Sequence, residues 1–444
     1  MPTTRSAGWQ SRGVRFIVLL CAACMVYYHL VILVPAAKRA QAAQGFGNGY
    51  SLGADFYPIW VTAHEGLLGH RDPYSPENAS EIQIGLFGRI VDARIFGAPP
   101  EYWTFAYPAF TDILFSPMAT LPFYIVRIGF GLTLAAMTAL SVVLWLRAVN
   151  PRSRSLALAS FMIPLTLSSY SVLEGLFAEQ MGLLVGFLLA ATLAALVKQR
   201  LLLAGGLLAM TLIKPQVIVI VTAYLLLWAL TQWKSRWRFV AGYVTVAVLL
   251  FGSSLLVWPH WISEWLRVAI AYRKYSLPPL ASYLLGARLS SRLGPIVIAA
   301  LLASAVALIW RKRHPSADSF EFALTLSLIL AITSIAVLPA HAMYDHVILL
   351  PGIVLIALSW REFATSVPFR IVLSLTALAV FWQWMSAPVV VASRPFLSHD
   401  LFVSAMLTLP IRTTASIPFG VCALLSLMMR QEHRRKSATN AEVD

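Results

Sequence analysis

Twelve apolar runs occupy most of this 444-residue chain, and they constrain its fold more than any single motif does. Several of them approach the roughly 20 residues that a helix needs to cross a bilayer. Hydrophobic residues make up 59% of the chain and charged residues 12%, more apolar surface than a soluble domain of this length can bury. The sequence therefore predicts an all-α polytopic membrane protein with about twelve transmembrane helices. The runs are 16–34, 124–146, 155–173, 180–197, 201–213, 216–231, 238–257, 294–310, 321–338, 346–359, 369–387 and 402–429.

The placement of charge between these runs predicts the orientation of the chain. Every second connection is basic, whereas the opposite connections hold most of the acids. Cytoplasmic loops of membrane proteins carry an excess of Lys and Arg, so we expect both termini to be cytoplasmic. The net charge of +15 arises from these short clusters and not from one contiguous basic stripe. A nucleic-acid partner is therefore not expected.

The pattern predicts a single transmembrane domain, 1–430, followed by a disordered cytoplasmic tail, 431–444. The first extracytoplasmic loop is long, from about 35 to 121, and its aromatic stretch 102–110 is typical of short interfacial helices. The runs 201–213 and 216–231 are short for spans, so Lys214-Pro215-Gln216 is expected to be a turn in the outer leaflet or a break in a helix.

Asp55 is the strongest candidate for a catalytic residue. It lies in the first segment outside the apolar runs, within Gly53-Ala54-Asp55-Phe56-Tyr57-Pro58. A carboxylate held beside aromatic residues at a membrane face is suited to be a general base that takes the proton from an acceptor hydroxyl. The alternative is that Asp55 caps a short helix beginning at Tyr57 and Pro58. Spacing alone does not choose between these roles.

Other polar residues at the outer ends of the runs are candidates for substrate contacts. A lysine at the depth of Lys214 needs a partner, and the anionic phosphate of a lipid would provide one. Arg267 and Arg273 are candidates to assist it. His346, with His341 as the second choice, is suited to orient a phosphate or a sugar. Glu179 and Gln180 either contact a substrate or begin a helix, where negative charge is favoured.

These motifs, in their order along the chain, resemble glycosyltransferase family 87. The motifs are Gly53 to Tyr57, Asp72-Pro73-Tyr74, Phe105 to Phe110, Glu179-Gln180, Lys214-Pro215-Gln216 and Tyr344-Asp345-His346. The resemblance implies a GT-C membrane fold and an inverting transfer of a hexose, typically mannose, from a polyprenyl-phosphate donor. Asp55 matches the first-loop acid of the family. The candidate substrate-binding residues are Tyr57, Asp72, Tyr107, Glu179, Gln180, Tyr344 and Asp345.

The resemblance implies a lipid-linked sugar donor, a glycolipid or glycan acceptor, and a site at the outer face of a bacterial plasma membrane. No metal and no other cofactor is expected, because the sequence has no Asp-x-Asp type of ligand cluster. Two other classes remain open, a twelve-span secondary transporter and an envelope glycan ligase or polymerase. A transporter would place ionisable residues near the membrane midplane, whereas the acids and bases here gather at the ends of the runs.

Overall fold

The computed structural model of the chain describes residues 12–43, 51–69, 71–91, 104–149, 156–274 and 276–441. These residues form helices joined by turns and contain no β-strand, only an isolated bridge between Pro279 and Pro339. The predicted all-α class is thus confirmed. The helices are α1 (Arg12–Tyr27), α2 (Val34–Ala43), α3 (Tyr57–Leu68), α4 (Pro76–Phe87), α5 (Phe110–Ala119), α6 (Phe123–Val149), α7 (Leu156–Leu167), α8 (Tyr170–Ala178), α9 (Met181–Val197), α10 (Leu201–Met210), α11 (Pro215–Leu230), α12 (Trp233–Val257), α13 (Trp261–Tyr272), α14 (Leu280–Tyr283), α15 (Gly286–Arg311), α16 (Phe320–Ala336), α17 (Leu350–Phe363), α18 (Val367–Ser393), α19 (His399–Thr408) and α20 (Ile417–Ala441).

In the described part of the chain, seven helical stretches are long and apolar enough to cross a membrane. The bent pair formed by α7 and α8, with a 57° bend, raises this number to eight if it is one span. Helices satisfy their own backbone hydrogen bonds in lipid, where no water can do so. The chain is therefore a polytopic membrane protein. Four shorter apolar helices, α9, α11, α16 and the stretch Leu201–Ile213, complete the match to the twelve runs. A count of twelve spans remains a prediction.

The chain breaks between α10 and α11, where the sequence led us to expect it. A 3₁₀ turn, Thr211–Ile213, ends α10, and Lys214 has a non-helical conformation, with φ −132° and ψ 72°, before Pro215 begins α11. A residue before proline is disfavoured in the helical region, and proline is favoured at the first helical position. The break therefore places Lys214 at a helix N-terminus inside the protein.

Helices α10 and α12 pack at unusually close range and fix the depth of this break. A Cβ atom at Gly205 would overlap the carbonyl oxygen of Phe239, and one at Gly242 would overlap the carbonyl oxygen of Leu202. Small residues allow helix backbones to approach in this way in membranes. The close contact holds α10, and with it Lys214, in one position relative to α12.

The segment between α2 and α6 packs against the bundle through aromatic side chains. The Phe56 ring stacks on Phe130 at 4.3 Å and contacts Phe115 edge-on at 5.4 Å. Tyr74 donates a hydrogen bond of 2.7 Å to the carbonyl of Tyr107, and Trp265 donates one of 3.1 Å to that of Ala106. Both contacts hold the 105–107 stretch in place. Residues 102 and 103 of the predicted interfacial stretch lie outside the described residues.

The C-terminal end of the chain differs from the sequence prediction of a disordered tail over 431–444. Helix α20 continues to Ala441, and residues 442–444 lie outside the described residues. Lys436 and Lys312 each bind one oxygen of the Glu321 carboxylate at 2.5 Å, and Arg435 donates to the carbonyl of Glu362. These contacts, which the local composition does not reveal, attach the polar end of the helix to the bundle.

Candidate active site

The backbone positions Asp55 next to the junction of α8 and α9. The Gly53 amide donates to the carbonyl of Phe177 at 2.8 Å, and the Asp55 amide donates to that of Ala178 at 3.0 Å. Gly53 has a φ of +76°, a conformation that glycine adopts without strain. Helix α3 has Phe56 at its N-cap and no side-chain cap. The Asp55 carboxylate therefore does not cap that helix and is available to the site.

Four polar side chains from distant parts of the chain form one continuous series of contacts. Gln180 donates from Nε2 to the Asp55 carboxylate and accepts at Oε1 from Lys214 Nζ at 3.0 Å. Lys214 Nζ also donates to Asp345 Oδ1 at 2.7 Å. We call this series, Asp55, Gln180, Lys214 and Asp345, the polar chain. All four members are residues that the sequence singled out.

Because most of the polar chain is buried, its charged members must be paired with each other. The exposed fraction is 6% for Lys214 and 1% for Asp345, and Gln180 is also buried. A buried charge requires a partner, and here the Lys214 ammonium and the Asp345 carboxylate are partners of each other. A Cβ atom at residue 182 would overlap the Asp345 carboxylate, so Gly182 provides the space for this pair. Asp55 is the one member of the polar chain that is only half-buried.

The surroundings of Asp55 place its carboxyl in the range of a working base. Burial raises the pKa of Asp55 to about 6, while the Gln180 hydrogen bond and the Lys214 charge act in the opposite direction. Negative charge at Glu174 and Asp345 adds to the increase. A base whose pKa lies slightly below the working pH is ionised and still accepts a proton effectively.

Aromatic hydroxyls surround the polar chain. Tyr344 lies with its ring 4.7 Å from Lys214 Nζ. Burial raises the pKa of Tyr107 well above its ordinary value, and the charges of Asp55 and Asp345 and the neighbouring Tyr272 raise it further. These hydroxyls therefore stay neutral and can both donate and accept hydrogen bonds. Tyr272, at the end of α13, is a site residue that the sequence analysis did not select.

Several of the predicted residues lie elsewhere. The Tyr57 hydroxyl packs against Gly85 of α4, and its ring contacts Phe123. The Asp72 carboxylate accepts a hydrogen bond from the Tyr74 amide at 2.8 Å. Burial is the main cause of the raised pKa of Glu264, and the negative charge of Asp72 adds to it. The structure does not bring Tyr57 or Asp72 into the polar chain.

The two predicted arginines, Arg267 and Arg273, are exposed, the first on α13 and the second at the residue that follows its end. Both are close in sequence to Tyr272, the last residue of α13, although neither is buried in the site. The His341 side chain is also exposed, yet the protein atoms around it, and then the Lys214 charge, lower its pKa. Exposed cations at this position are available to a ligand in solution or at a membrane surface.

Glu179 is the most deeply buried of the predicted acids. It has a left-handed conformation, with φ 58°, and neither carboxyl oxygen has a hydrogen-bond partner among the described residues. Burial raises its pKa to about 8, against the effect of Arg127. The carboxyl is therefore mostly protonated at neutral pH. Its turn directs the next residue, Gln180, towards Asp55.

A buried histidine that the sequence analysis did not select lies behind the site. His29, on a π-helical segment of the first span, contacts Glu174 at 3.1 Å between its Nε2 and the carboxylate. Glu174 is the same residue whose charge acts on Asp55. An ionisable residue inside an apolar run is costly without a partner. His29 was therefore detectable in the sequence as an exception within the first run.

Among the described residues, no three His, Cys, Asp or Glu side chains lie close enough together to hold a metal ion. Metal independence nevertheless remains an expectation. The groups that the structure brings together are the Asp55 carboxylate, the Lys214 ammonium and the tyrosine hydroxyls. They are suited to binding a sugar and moving a proton.

Comparison with known proteins gives one match. The family model for glycosyltransferase family 87 matches residues 105–339. No curated protein and no solved structure matches the chain. The matched segment contains Tyr107, Gln180 and Lys214, whereas Asp55 and Asp345 lie outside it. The match thus covers the middle of the polar chain, and the structure adds its two ends.

Proposed function

Because the chain belongs to glycosyltransferase family 87, we propose that this membrane glycosyltransferase moves a hexose, with mannose favoured, from a polyprenyl-phosphate donor to a glycolipid or glycan acceptor. The observation that carries the proposal is the half-buried Asp55 carboxylate at the end of the otherwise buried polar chain. The reaction takes place at the outer face of a bacterial plasma membrane, in a GT-C fold with twelve spans and both termini in the cytoplasm.

Asp55 acts as the general base. Its carboxylate takes the proton from the acceptor hydroxyl while that oxygen attacks the anomeric carbon. The bond between that carbon and the phosphate oxygen breaks, the phosphate leaves with the electron pair, and the anomeric configuration inverts. Gln180 donates to one carboxylate oxygen of Asp55 and so fixes its direction. The remaining lone pairs are then directed towards the acceptor.

Lys214 stabilises the departing phosphate. An ammonium has three protons, and Gln180 and Asp345 take two of those of Lys214. The third is available to a phosphate oxygen. The N-terminus of α11, which begins at the next residue, also favours an anion. Arg267 and Arg273 assist Lys214 with the charge of the phosphate, and His346 orients the phosphate. Tyr107, Tyr344 and Asp345 hold the sugar.

A direct transfer assay tests this proposal. The purified protein in nanodiscs is given radiolabelled polyprenyl-phosphate mannose and a glycolipid extract as the acceptor, and a parallel sample receives a nucleotide-linked mannose. We expect labelled glycolipid from the lipid-linked donor only. Transfer from the nucleotide-linked sugar alone would exclude the proposed donor class.

The pH dependence of the same assay reports on Asp55. Its pKa is raised from 3.8 to about 6, and the base works in its ionised form. We therefore expect kcat/KM to rise about tenfold per pH unit below pH 6 and to level off above about pH 7. Gln180→Leu removes a hydrogen bond that lowers this pKa, so the rise should move to higher pH. A profile that is flat from pH 5 to pH 8 would contradict the assignment of Asp55 as the base.

Labelling of single cysteines tests the orientation. In a background where Cys21, Cys24 and Cys422 are replaced by alanine, a cysteine at Ser276 should react with a membrane-impermeant maleimide in intact cells. A cysteine at exposed Ser235 should react only after permeabilisation, because this position lies at the start of α12 between the basic residues Lys234 and Arg236. The reverse pattern would place the polar chain on the cytoplasmic side and remove the proposed orientation.

A further inference from the structure

A large apolar cavity lies beside the polar chain, within the helical bundle. It has a volume of about 780 Å³ and is lined mainly by α7, α17, α18 and α20. Most of its lining is hydrocarbon, for example from Met162, Ile353 and Val380. A cavity of this kind binds an apolar ligand because binding removes apolar surface of the cavity and of the ligand from water.

The cavity is long as well as apolar. Its lining includes His346 at one end and Arg361 at the other, with residues of α17 between them. At a rise of 1.5 Å per residue, this stretch measures more than about 20 Å. Such a shape fits an extended hydrocarbon chain better than a compact ring system.

One end of the cavity carries a polar group without a partner. His346 is 8% exposed, lines the cavity, and forms no side-chain hydrogen bond with any described residue. The imidazole can donate and accept hydrogen bonds, so a ligand with a polar head fits this end of the cavity. Asp345, the adjacent residue, binds Lys214. The head of the ligand would therefore lie at the Asp345 end of the polar chain, next to Lys214.

We propose that this cavity holds the first isoprene units of the donor, with the donor phosphate at His346. The inference rests on the proposed function and adds to it the place of the lipid. In an inverting transfer the base and the leaving group act on opposite faces of the sugar. Asp55 marks the acceptor end of the polar chain, and the cavity adjoins the Asp345 end. The chain that is bonded to the leaving phosphate therefore belongs in the cavity, and the acceptor lipid does not.

Photolabelling of the full-length protein in nanodiscs tests the placement. The probe is a polyprenyl phosphate without sugar that carries a diazirine on its second isoprene unit, and a phosphatidylglycerol with a diazirine on one acyl chain serves as the comparison. We expect the isoprenoid probe to label cavity residues of α17 and α18. Excess unlabelled polyprenyl phosphate should reduce this labelling at least tenfold.

A pair of neighbouring substitutions provides the matched control. Ala377 lines the cavity, whereas Leu378 is 50% exposed on the outside of the same helix. Ala377→Trp fills cavity space and should reduce isoprenoid labelling about tenfold or more, because it displaces several buried methylene groups. Leu378→Trp should leave the labelling unchanged. Thermal unfolding of both variants shows whether either has lost its fold, and Ala377→Phe replaces Ala377→Trp if that variant does not fold.

The outcomes separate this inference from the proposed function. Competed labelling of residues outside the cavity overturns the placement and leaves the donor class intact. Labelling of the cavity by the phosphatidylglycerol probe at equal yield also overturns the placement, because ordinary membrane lipid then fills the space. If polyprenyl phosphate competes nowhere on the protein, the donor class itself is wrong, and with it the proposed function.

Discussion

Asp55→Asn should lower the rate of sugar transfer by about a hundredfold or more. The substitution keeps the size of the side chain and an oxygen that accepts from Gln180, but it removes the group that takes up the acceptor's proton. The backbone hydrogen bonds of residues 53 and 55 do not involve the side chain, so the loop should keep its position. Donor binding and thermal stability should therefore change little. Single-turnover transfer with a saturating donor measures the effect on the chemical step directly.

A carboxylate elsewhere in the segment between α2 and α6 provides the control. Glu77 is exposed on α4, and Glu77→Gln removes one negative charge without touching the polar chain. That variant should transfer sugar at the wild-type rate. Near-normal activity of Asp55→Asn would remove the general-base assignment.

Lys214→Met should affect both stability and activity, because it leaves the Asp345 carboxylate buried without its cation. Loss of one partner from a buried ion pair costs about 3–5 kcal/mol. Gln180 also loses the donor to its oxygen. We expect a lower unfolding temperature, and transfer reduced about a hundredfold through the loss of phosphate stabilisation.

The double variant Lys214→Met/Asp345→Leu separates the two effects. An apolar pair of similar volume often replaces a buried ion pair without loss of stability, so the unfolding temperature should recover. Transfer should stay low if the ammonium binds the donor phosphate. Lys214→Arg keeps the charge with a different shape and should retain part of the activity. If the double variant recovered transfer together with stability, the role of Lys214 would be structural only.

The helices were predictable because their signal is local. An apolar run near 20 residues has few alternatives to a helix in lipid, and the break at Lys214 follows from the adjacent proline. The end of α20 was not predictable from its composition, because Glu321, the residue that holds Lys436, is 115 residues away.

The residues of the polar chain were predictable, but their contacts were not. Asp55 and Gln180 are 125 residues apart, and Lys214 and Asp345 are 131 apart. Without an alignment, nothing in one sequence states that such residues meet. The sequence assigned Lys214 to a phosphate, whereas the structure shows that protein atoms already take two of its protons. Tyr57 was selected for its position beside Asp55, yet it is the first residue of α3, and its hydroxyl packs against Gly85 of α4.

The attachment of Asp55 through main-chain amides has a consequence for how enzymes of this design diversify. Main-chain hydrogen bonds from Gly53 and Asp55 hold the proposed base against the junction of α8 and α9. Substitution of side chains does not remove these bonds. The helices that follow Asp55, α3 to α5, can then change in sequence without displacing the base. If Asp55 is the base, as proposed, we expect acceptor preference to vary with the sequence of α3 to α5 separately from catalytic power, and these helices are then the part of the chain to exchange when a new acceptor is sought.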